Sequence, residues 1–530
     1  MLGARWLAAV VLLGTLLGTA LVAAPLQGQK TLERRGTYAT GFFDEGAAES
    51  AAFDPVTKRV FVTNAATGTV DIVDASDVND PVLFGTIPLT GLGDEPTGLA
   101  FHGGVLAVTL VAEEPTDPGH VAFFDAAGDS LGLVQVGSLP DNAKFTSDGR
   151  FLVVANEAEP NDDYTLDPVG SVSIVSTSAL PGGMVSQQDV RTAGFEAWDG
   201  REAALRQLGV RIFGPGASAS QDLEPENVGL SPDGRTAYVT LQENNALAVV
   251  DVRRARVRRI VPLGYKPHFV ADSGIDASNK DEAINIARWP VLGMYQPDGV
   301  AAYRSFGRTY LVVANEGDAR DYDGFSEEAR VKDLSLRGYL ASLPGLQEDE
   351  QLGRLKVTTA APFGKTEEGY GALFSYGARS FSILSSSGRR VFDSGDAFER
   401  IVAEREPDFF NTTDDENEFD GRSDDKGPEP EGLVLGVLEG RTFAFITLER
   451  QGGIMIYDVS RPWAPVFQDF VNNRDFTGEP EAGTAGDLGP EGLIFVSPSN
   501  SPNGEPLLIV ANEISGTTTI YAVTDDPGGS

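Results

Sequence analysis

The sequence of 530 residues predicts an all-β fold, a seven-bladed β-propeller of four-stranded blades with acidic loop insertions and few short helices. The first observation behind this prediction is a recurring unit of short segments with alternating apolar residues, bounded by Gly, Pro or acidic residues. The second is the supply of turn formers, with 61 Gly and 31 Pro. The third is weak helical periodicity, which is best in residues 196–208 and 281–288.

The recurring unit is clearest in residues 427–459, where GLVLGVL, RTFAFITL and GIMIYDV are expected to form three strands. Six further copies are found at residues 49–74, 95–125, 139–176, 224–251, 296–318 and 489–523. A fourth apolar run follows several copies, which gives four strands per repeat. In the copy at 296–318 the third strand is expected to resume at residues 380–383. The stretch 299–432 is long enough to hold an eighth repeat.

The ends of the chain complete this interpretation. Residues 1–24 are predicted to be a Sec-type signal peptide, because Arg5 precedes a long apolar run that ends in small residues. A retained membrane anchor is the alternative. Residues 31–525 are predicted to form a single propeller domain, in which residues 37–43 add a strand beside the last blade. Its insertions are expected at about residues 177–221, 252–295, 318–373 and 396–428.

Composition excludes several classes of function. The chain has no Cys, which rules out disulfides, thiolate nucleophiles and zinc–thiolate sites. A net charge of −37 argues against binding to nucleic acid or anionic lipid, although it also serves solubility in a salty medium. No second apolar run is long enough to span a bilayer. We therefore expect a monomer that is secreted, periplasmic or on the cell surface, without a membrane span after signal cleavage.

Acidic residues recur at two positions of the repeat. The first position precedes the small residue that opens the first strand, and it holds Glu49, Thr97 (the exception), Asp141, Glu226, Asp298, Glu431 and Glu491. The second position ends the second strand, and it holds Glu157, Gln242, Glu316, Glu449 and Glu513. In a propeller both positions lie on one face beside the central channel. The sequence therefore predicts two rings of oxygen ligands around one mouth.

Carboxylates crowded in this way repel one another unless they are protonated, paired with Arg, or bridged by a cation. Arg379, Arg422 and Arg450 are the candidate partners. Since the chain offers only three His and no Cys, a hard cation is favoured, and Ca²⁺ fits best. The predicted metal ligands are Glu226, Asp298, Glu316, Asp318, Asp424, Asp425, Glu429, Glu431, Glu449, Glu491 and Glu513. The alternative is that these acids only cap turns by accepting backbone N–H groups.

Two acidic insertions, residues 315–328 and 411–431, carry Asp-Gly turns among alternating acids, as calcium loops do. Neither matches the EF-hand pattern, because the twelfth position falls on Arg330 in one and on Gly427 in the other. Their length predicts that they cover the same face as lids. Solvated acidic loops are the alternative.

Long motifs carry a resemblance to a known family. They include SQDLEPENVGLSPDGRTAYVTLQENNALAVVD, QPDGVAAYRSFGRTYLVVANEGDARDYDGFSEE and FDGRSDDKGPEPEGL. Over about residues 35–525 the sequence resembles the choice-of-anchor I domain family, exported bacterial β-propeller proteins related to the mesenchyme-specific cell surface glycoprotein of animals. The resemblance implies an exported propeller, and some members of the family are labelled alkaline phosphatase.

Two functions follow from these patterns. The sequence lacks a G-x-S-x-G elbow, a P-loop and an H-E-x-x-H motif, which favours a calcium-binding extracellular protein that binds a protein or glycan ligand. The alternative is a calcium-dependent phosphoesterase of the alkaline phosphatase or phytase type, which the resemblance implies. In that case Glu431 or Glu316 would act as base, and Arg379 and Arg422 would hold the phosphoester substrate.

Overall fold

The computed structural model describes residues 28–526, so the predicted signal peptide lies outside the described residues. Within this range the strands form seven four-stranded antiparallel sheets, one five-stranded sheet and two small hairpins. The α-helices are Glu202–Leu208, Ala219–Asp222 and Ala397–Arg405. The prediction of an all-β fold with few short helices is confirmed.

Sheets 1 to 4 each use four strands that follow one another in the chain. Sheet 1 consists of Ala47–Asp54, Arg59–Asn64, Thr69–Asp74 and Val82–Pro88. Sheet 2 consists of Pro96–His102, Val105–Leu110, Pro118–Asp125 and Ser130–Ser138. Sheet 3 consists of Pro140–Phe145, Phe151–Asn156, Ser171–Ser176 and Val190–Gly194. Sheet 4 consists of Val228–Leu230, Thr236–Leu241, Ala246–Asp251 and Arg256–Pro262.

Sheets 5 and 7 depart from this simple order, whereas sheet 6 follows it. Sheet 5 consists of Val300–Ser305, Arg308–Asn315, Ser380–Ser385 and Arg390–Asp393, so its third strand resumes where the sequence predicts. Sheet 6 consists of Pro430–Leu438, Arg441–Leu448, Ile454–Asp458 and Val466–Val471. Sheet 7 consists of Pro490–Val496, Leu507–Asn512, Thr517–Asp525 and the N-terminal strand Lys30–Ala39.

Residues 299–432, the stretch long enough for an eighth repeat, do not add an eighth four-stranded sheet. They combine with the segment after sheet 4 into a five-stranded insertion sheet of Tyr265–Pro267, Leu292–Met294, Phe374–Ser375, Lys356–Thr358 and Glu328–Arg330. This sheet has its own apolar cluster, which includes Trp289, Leu340 and Leu355. The helix expected at 281–288 is wrong. Asp276 and Asp281 instead accept hydrogen bonds from Asn285, which holds this segment as a loop.

The seven sheets pack face to face through apolar clusters. One cluster lies between sheets 1 and 2, and others lie between each following pair up to sheets 6 and 7. A further cluster joins sheet 7 to sheet 1, for example through Ile509 and Val62. The first strands of successive sheets also contact one another, and the first strand of sheet 7 contacts that of sheet 1. This packing is typical of a β-propeller.

Glycine allows this contact between first strands. A Cβ atom on Gly299 would lie 2.3 Å from the carbonyl oxygen of Glu431, in the next sheet. On Gly432 it would lie 2.0 Å from the carbonyl oxygen of Glu491, and on Gly492 2.5 Å from that of Glu49. No side chain fits at these distances, so glycine is a packing requirement at these three positions.

The N-terminal strand Lys30–Ala39 pairs antiparallel with Thr517–Asp525. It was expected at 37–43, and it lies earlier because the chain turns away after Ala39, through residues 40–46. The Tyr38 hydroxyl donates to Asp71 of sheet 1 at 2.8 Å, and the Lys30 N–H donates to Gln468 of sheet 6 at 3.2 Å. The strand therefore connects three sheets.

We predict that Gly36→Ala destabilises the fold, because its Cβ would lie 2.6 Å from Pro81 Cδ and 2.8 Å from the backbone of Asn79, in the connection between the third and fourth strands of sheet 1. The expected loss is about 1–3 kcal/mol of unfolding free energy, measured by denaturant titration. Gly85→Ala is the matched control, because a Cβ there meets nothing within 4 Å. Equal midpoints for the two variants would contradict the packing of this strand on sheet 1.

Candidate functional site

The residues at the first position, acids in every sheet but sheet 2, are directed by an irregularity that five sheets share. Their first strands shift register at one place, between Ala47 and Ala51, Pro96 and Leu99, Pro140 and Ala143, Pro430 and Leu433, and Pro490 and Leu493. Bulges of this kind re-aim side chains. In sheets 4 and 5 the acids Glu226 and Asp298 lie just before the first strand instead.

A cavity of about 840 Å³ lies between the first strands, and every one of the seven sheets contributes to its wall. Ten carboxylates and three cationic side chains line it. Seven of the predicted ligands are among them: Glu226, Asp298, Glu316, Asp318, Glu431, Glu449 and Glu491. The other three are Glu49, Asp141 and Glu157. The structure thus brings the two proposed bases, Glu431 and Glu316, into one space.

The Asn residues that precede the second-position acids have a structural role. Asn156 Nδ2 donates to Ser171 Oγ at 3.1 Å and to Ser173 Oγ at 3.0 Å, both in the next strand of its sheet. Asn315 makes the equivalent bonds in sheet 5. These bonds fix the end of the second strand, and the acid that follows projects toward the cavity.

Burial and mutual repulsion raise the pKa values of the cavity acids. Burial raises the pKa of Asp141 to about 7. The pKa of Glu431 is raised well above its ordinary value by burial and then by the charges of Glu449 and Glu491. Glu226 Oε2 and Glu431 Oε2 are buried without a hydrogen-bond partner. The cavity therefore holds more negative charge than its own residues compensate.

One group of carboxylates is neutralised by the protein itself. Oxygens of Glu316, Glu429 and Glu449 lie within 4.8 Å of one another, a spacing that a metal ion would fit. Lys426 Nζ, however, lies 3.0 Å from Glu316 and 3.1 Å from Glu429, and Arg450 lies 2.9 Å from Glu449. Burial alone would raise the pKa of Glu429, but the neighbouring cations, Lys426 first, lower it to about 2. The ammonium group of Lys426 therefore lies where a metal ion would otherwise bind.

A second group, Glu157, Glu159 and Glu243, has the same spacing and no such cation. Along the described chain, no Lys or Arg nitrogen lies within 4 Å of these three carboxylates. Tyr322 donates to Glu159 at 2.9 Å, whereas Glu243 Oε2 is buried without a partner. Burial and then the charge of Asp318 raise the pKa of Glu243 to about 8. These oxygens are the best-placed candidates for a cation at the mouth of the cavity.

The insertion that was expected to form a lid beside this group is anchored. Arg320 is fully buried, and its guanidinium group forms ion pairs with Glu224, at 2.5 Å, and with Asp222. This ion-pair cluster fixes residues 315–328 against the segment that leads into the first strand of sheet 4. Arg320 forms its ion pairs with Asp222 and Glu224 and none with Glu243, and its charge only partly offsets the rise that burial causes in the pKa of Glu243.

Several predicted site residues lie outside the cavity wall. Arg379 is buried, donates to Glu399 at 2.6 Å, and donates to two backbone carbonyls of the 411–431 insertion at 2.8 Å. Arg422 lies 2.6 Å from Glu429 and 3.3 Å from Asp425. The structure therefore places both guanidinium groups in internal ion pairs.

The remaining predicted ligands also have internal partners or lie at the rim. Asp424 pairs with Arg330 and, at 2.9 Å, with Arg354, whereas Asp425 lies 3.1 Å from Lys356. Burial raises the pKa of Glu513, which is half-buried and next to the second strand of sheet 7.

Sequence reasoning missed Glu159, Glu243 and Lys144. The signal for Glu243 was its position next to Gln242, which takes the place of an acid at the second position of that copy. Lys144 lines the cavity, and burial lowers its pKa to about 8. Glu159 follows Glu157 at a spacing of two, which brings both to the same mouth.

The fold and this cavity define a β-propeller with an acidic centre. Residues 49–462 match the model of the choice-of-anchor I domain, and the chain belongs to that family. It is similar to Gigasin-3a of Magallana gigas, with 32% identity over 197 residues that cover 34% of this chain and 68% of that protein. It is also similar to mesenchyme-specific cell surface glycoprotein of Strongylocentrotus purpuratus, with 28% identity over 278 residues, 46% of this chain and 35% of that protein. The chain thus spans about a third of that second relative.

Among solved structures, the chain is similar to Kuenenia stuttgartiensis hydrazine synthase, with a TM-score of 0.47, 14% identity, and coverage of 92% of this chain and 100% of that chain. It is also similar to the Cps50 (Swd1) β-propeller domain of Myceliophteria thermophila, with a TM-score of 0.44, 9% identity, and coverage of 93% and 100%. Within residues 28–526, no helix has the length and apolar character needed to cross a membrane.

We predict that the metal-free protein becomes less stable as pH rises from about 5 to 8. Raised pKa values mean that the folded state keeps protons on acids such as Asp141 and Glu243 that the unfolded chain has already released. Their stabilising protonation is complete below about pH 4 and is lost as pH passes through 7 to 8. The measurement is the melting temperature in EDTA as a function of pH. A melting temperature that rises over this range would contradict the prediction.

Glu491→Gln gives a sharper form of this test, because it removes one charge from the crowded wall without changing the shape of the side chain. In EDTA at pH 8 the variant is expected to melt higher, by roughly 1–2 °C for each kcal/mol of relieved repulsion. At pH 5 the difference should be smaller. Glu114→Gln, at an exposed acid, is the control and should melt like the parent protein at both pH values.

Proposed function

We propose that this chain is an exported, calcium-binding β-propeller that acts as a binding protein outside the cell or on its surface. The observation that carries the proposal is the group Glu157, Glu159 and Glu243, whose converging carboxylates have no cationic partner within 4 Å in the described residues. Membership of the choice-of-anchor I domain family and the name of the Strongylocentrotus purpuratus relative, a cell surface glycoprotein, support the extracellular location.

The proposal takes the seven four-stranded sheets as the blades of one closed ring. Support comes from the contact between the first strands of sheets 7 and 1, and from the apolar cluster that these sheets share. The N-terminal strand would close the ring, because it supplies the outer strand of sheet 7. The cavity is then the central channel, and the predicted rings of acids surround its mouth.

Calcium suits the group at the mouth for chemical reasons. The ligands are all oxygens, and Ca²⁺ binds six to eight oxygens at about 2.3–2.6 Å. Two oxygens on one ion can therefore lie up to about 5 Å apart, which agrees with the 4.8 Å limit within this group. Three carboxylates do not complete the coordination shell. The open positions would be filled by water or by oxygens of a bound ligand.

These open positions define the chemistry of the partner. A ligand would need hydroxyl or carboxylate oxygens to coordinate the ion, which glycans and acidic protein side chains supply. The strongly acidic surroundings disfavour a partner with excess negative charge unless the ion is present. We therefore expect binding of an extracellular glycan or protein ligand to depend on calcium.

The first test is calcium binding. The mature chain, treated with EDTA and titrated with CaCl₂, is expected to bind the ion and to gain melting temperature. Glu243→Gln should weaken binding by about tenfold or more, because it removes a charged ligand. Asp129→Asn is the control, since it changes an exposed acid at the far end of sheet 2. Unchanged affinity in Glu243→Gln would refute this site.

A calcium-dependent phosphoesterase is the second candidate function, and one observation favours it. Lys144, Lys426 and Arg450 line the same cavity as the acids, so positive groups for a phosphate are present. Lys426 and Arg450 are engaged by carboxylates, however, and Lys144, with Asn227 Oδ1 at 3.3 Å, is the less constrained of the three. In this function Glu431 or Glu316 would be the base, as the sequence predicts.

Hydrolysis of p-nitrophenyl phosphate and bis-p-nitrophenyl phosphate distinguishes the two functions. Turnover that disappears in EDTA, returns with Ca²⁺ and is lost in both Glu431→Gln and Lys144→Met would establish the enzyme. No turnover, together with a melting temperature that Ca²⁺ raises, would support the binding protein.

A further inference from the structure

A third group of carboxylates lies outside the lining of the central cavity. Oxygens of Asp276, Asp281 and Asp420 come within 4.8 Å of one another. Asp276 and Asp281 belong to the loop between sheets 4 and 5, and Asp420 belongs to the insertion before sheet 6. More than 130 residues of chain separate them. The fold has therefore brought three negative charges together from two independent segments.

One of these carboxylates is buried with an unused oxygen. Asp420 is 2% exposed, and its Oδ2 atom is buried without a hydrogen-bond partner. Its other oxygen accepts a hydrogen bond from the Ser423 hydroxyl, which fixes the orientation of the carboxylate. A buried carboxylate oxygen without a donor is costly unless a proton or a cation satisfies it.

The neighbouring oxygens are held in place by donors of the first segment. Asp276 is fully buried and accepts hydrogen bonds from the backbone N–H groups of Ser278 and Asn285. Asp281 accepts from the Asn285 side chain at 3.2 Å and from the backbone of Ala283 at 3.3 Å. These donors orient the two carboxylates but do not neutralise them, because none of the donors is charged.

Within the described residues, these three carboxylates form no ion pair with Lys or Arg. Arg379 Nη1 lies 2.6 Å from Glu399, and it also donates to the backbone carbonyl of Asp276 rather than to its carboxylate. Burial first, and then mainly neighbouring carboxylates, raise the pKa of Asp276 to about 7 and that of Asp420 to about 8. The pocket therefore lacks a countercharge.

We infer that Asp276, Asp281 and Asp420 bind a calcium ion that fastens residues 276–285 to the 411–431 insertion. The site is separate from the group at the mouth of the cavity and does not depend on it. All ligands are oxygens at the spacing that Ca²⁺ requires, and the chain supplies neither Cys nor a nearby His for a softer ion.

The ion would stabilise the part of the insertion that faces the cavity. Six residues after Asp420, Lys426 reaches the cavity wall and binds Glu316. Arg379 already ties the two segments together through the carbonyls of Asp276, Ser423 and Asp425. A calcium ion on the same junction would hold the loop that presents Lys426, without contacting the cavity itself.

The experiment measures calcium stoichiometry on the full mature chain by equilibrium dialysis, after removal of metal with EDTA. Asp420→Asn is expected to bind one ion fewer than the parent protein, and Asp281→Asn, at a less buried position, should show the same loss. Asp415→Asn is the matched control, because it changes an exposed acid of the same insertion. Glu243→Gln should still bind calcium at Asp276, Asp281 and Asp420. A loss of calcium at the mouth of the cavity can therefore be distinguished from a loss at this site.

Melting temperatures exclude a purely structural role for Asp420. If the site binds calcium, then at about pH 9, where Asp420 is ionised, Asp420→Asn should melt no lower than the parent in EDTA, because a repulsive charge is removed. The variant should also lose part of the rise that Ca²⁺ causes. If Asp420 is instead a protonated hydrogen-bond donor, the variant should melt lower in EDTA and keep the whole calcium-dependent rise. That second result, or full stoichiometry in both Asp420→Asn and Asp281→Asn, would overturn the inference.

Discussion

The close contact between the first strands of neighbouring sheets is the constraint on which the rest of the structure depends. At Gly299, Gly432 and Gly492 the next backbone comes so near that a Cβ would lie within 2.5 Å of its carbonyl oxygen. Each of these glycines follows an acid, so strands that pack in this way place Asp298, Glu431 and Glu491 around one cavity. The close contact between first strands therefore packs the sheets and also concentrates negative charge in the cavity.

Among the described residues, basic side chains pair with these carboxylates on one side of the cavity but not on the other. On the side of sheets 5 and 6, the 411–431 insertion supplies Lys426, which lies within 3.1 Å of both Glu316 and Glu429. On the side of sheets 3 and 4, Arg320 is taken up by Asp222 and Glu224, and Glu243 keeps a buried oxygen without a partner. Because of this asymmetry, the proposed calcium site is the group on the side of sheets 3 and 4, although both groups have the same spacing.

The sequence is informative wherever a feature repeats. The first-position acids could be located because the same acid–small residue pair opens most copies, and the third strand of sheet 5 could be found across a long insertion because its alternation is intact. Contacts between insertions could not be predicted. Nothing local in the sequence shows that Arg379 pairs with Glu399, or that Asp420 lies beside Asp276, since these contacts depend on how two long loops fold together.

At the proposed calcium sites, protons and the metal ion would compete for the same carboxylate oxygens. At low pH the raised pKa values of acids such as Glu243 keep the carboxylates protonated, so a cation must displace protons in order to bind. Near pH 8 these acids ionise, repulsion grows, and a divalent ion relieves it most effectively. In the proposed function, the chain would therefore bind calcium most readily in calcium-containing medium near or above neutral pH, where these carboxylates ionise.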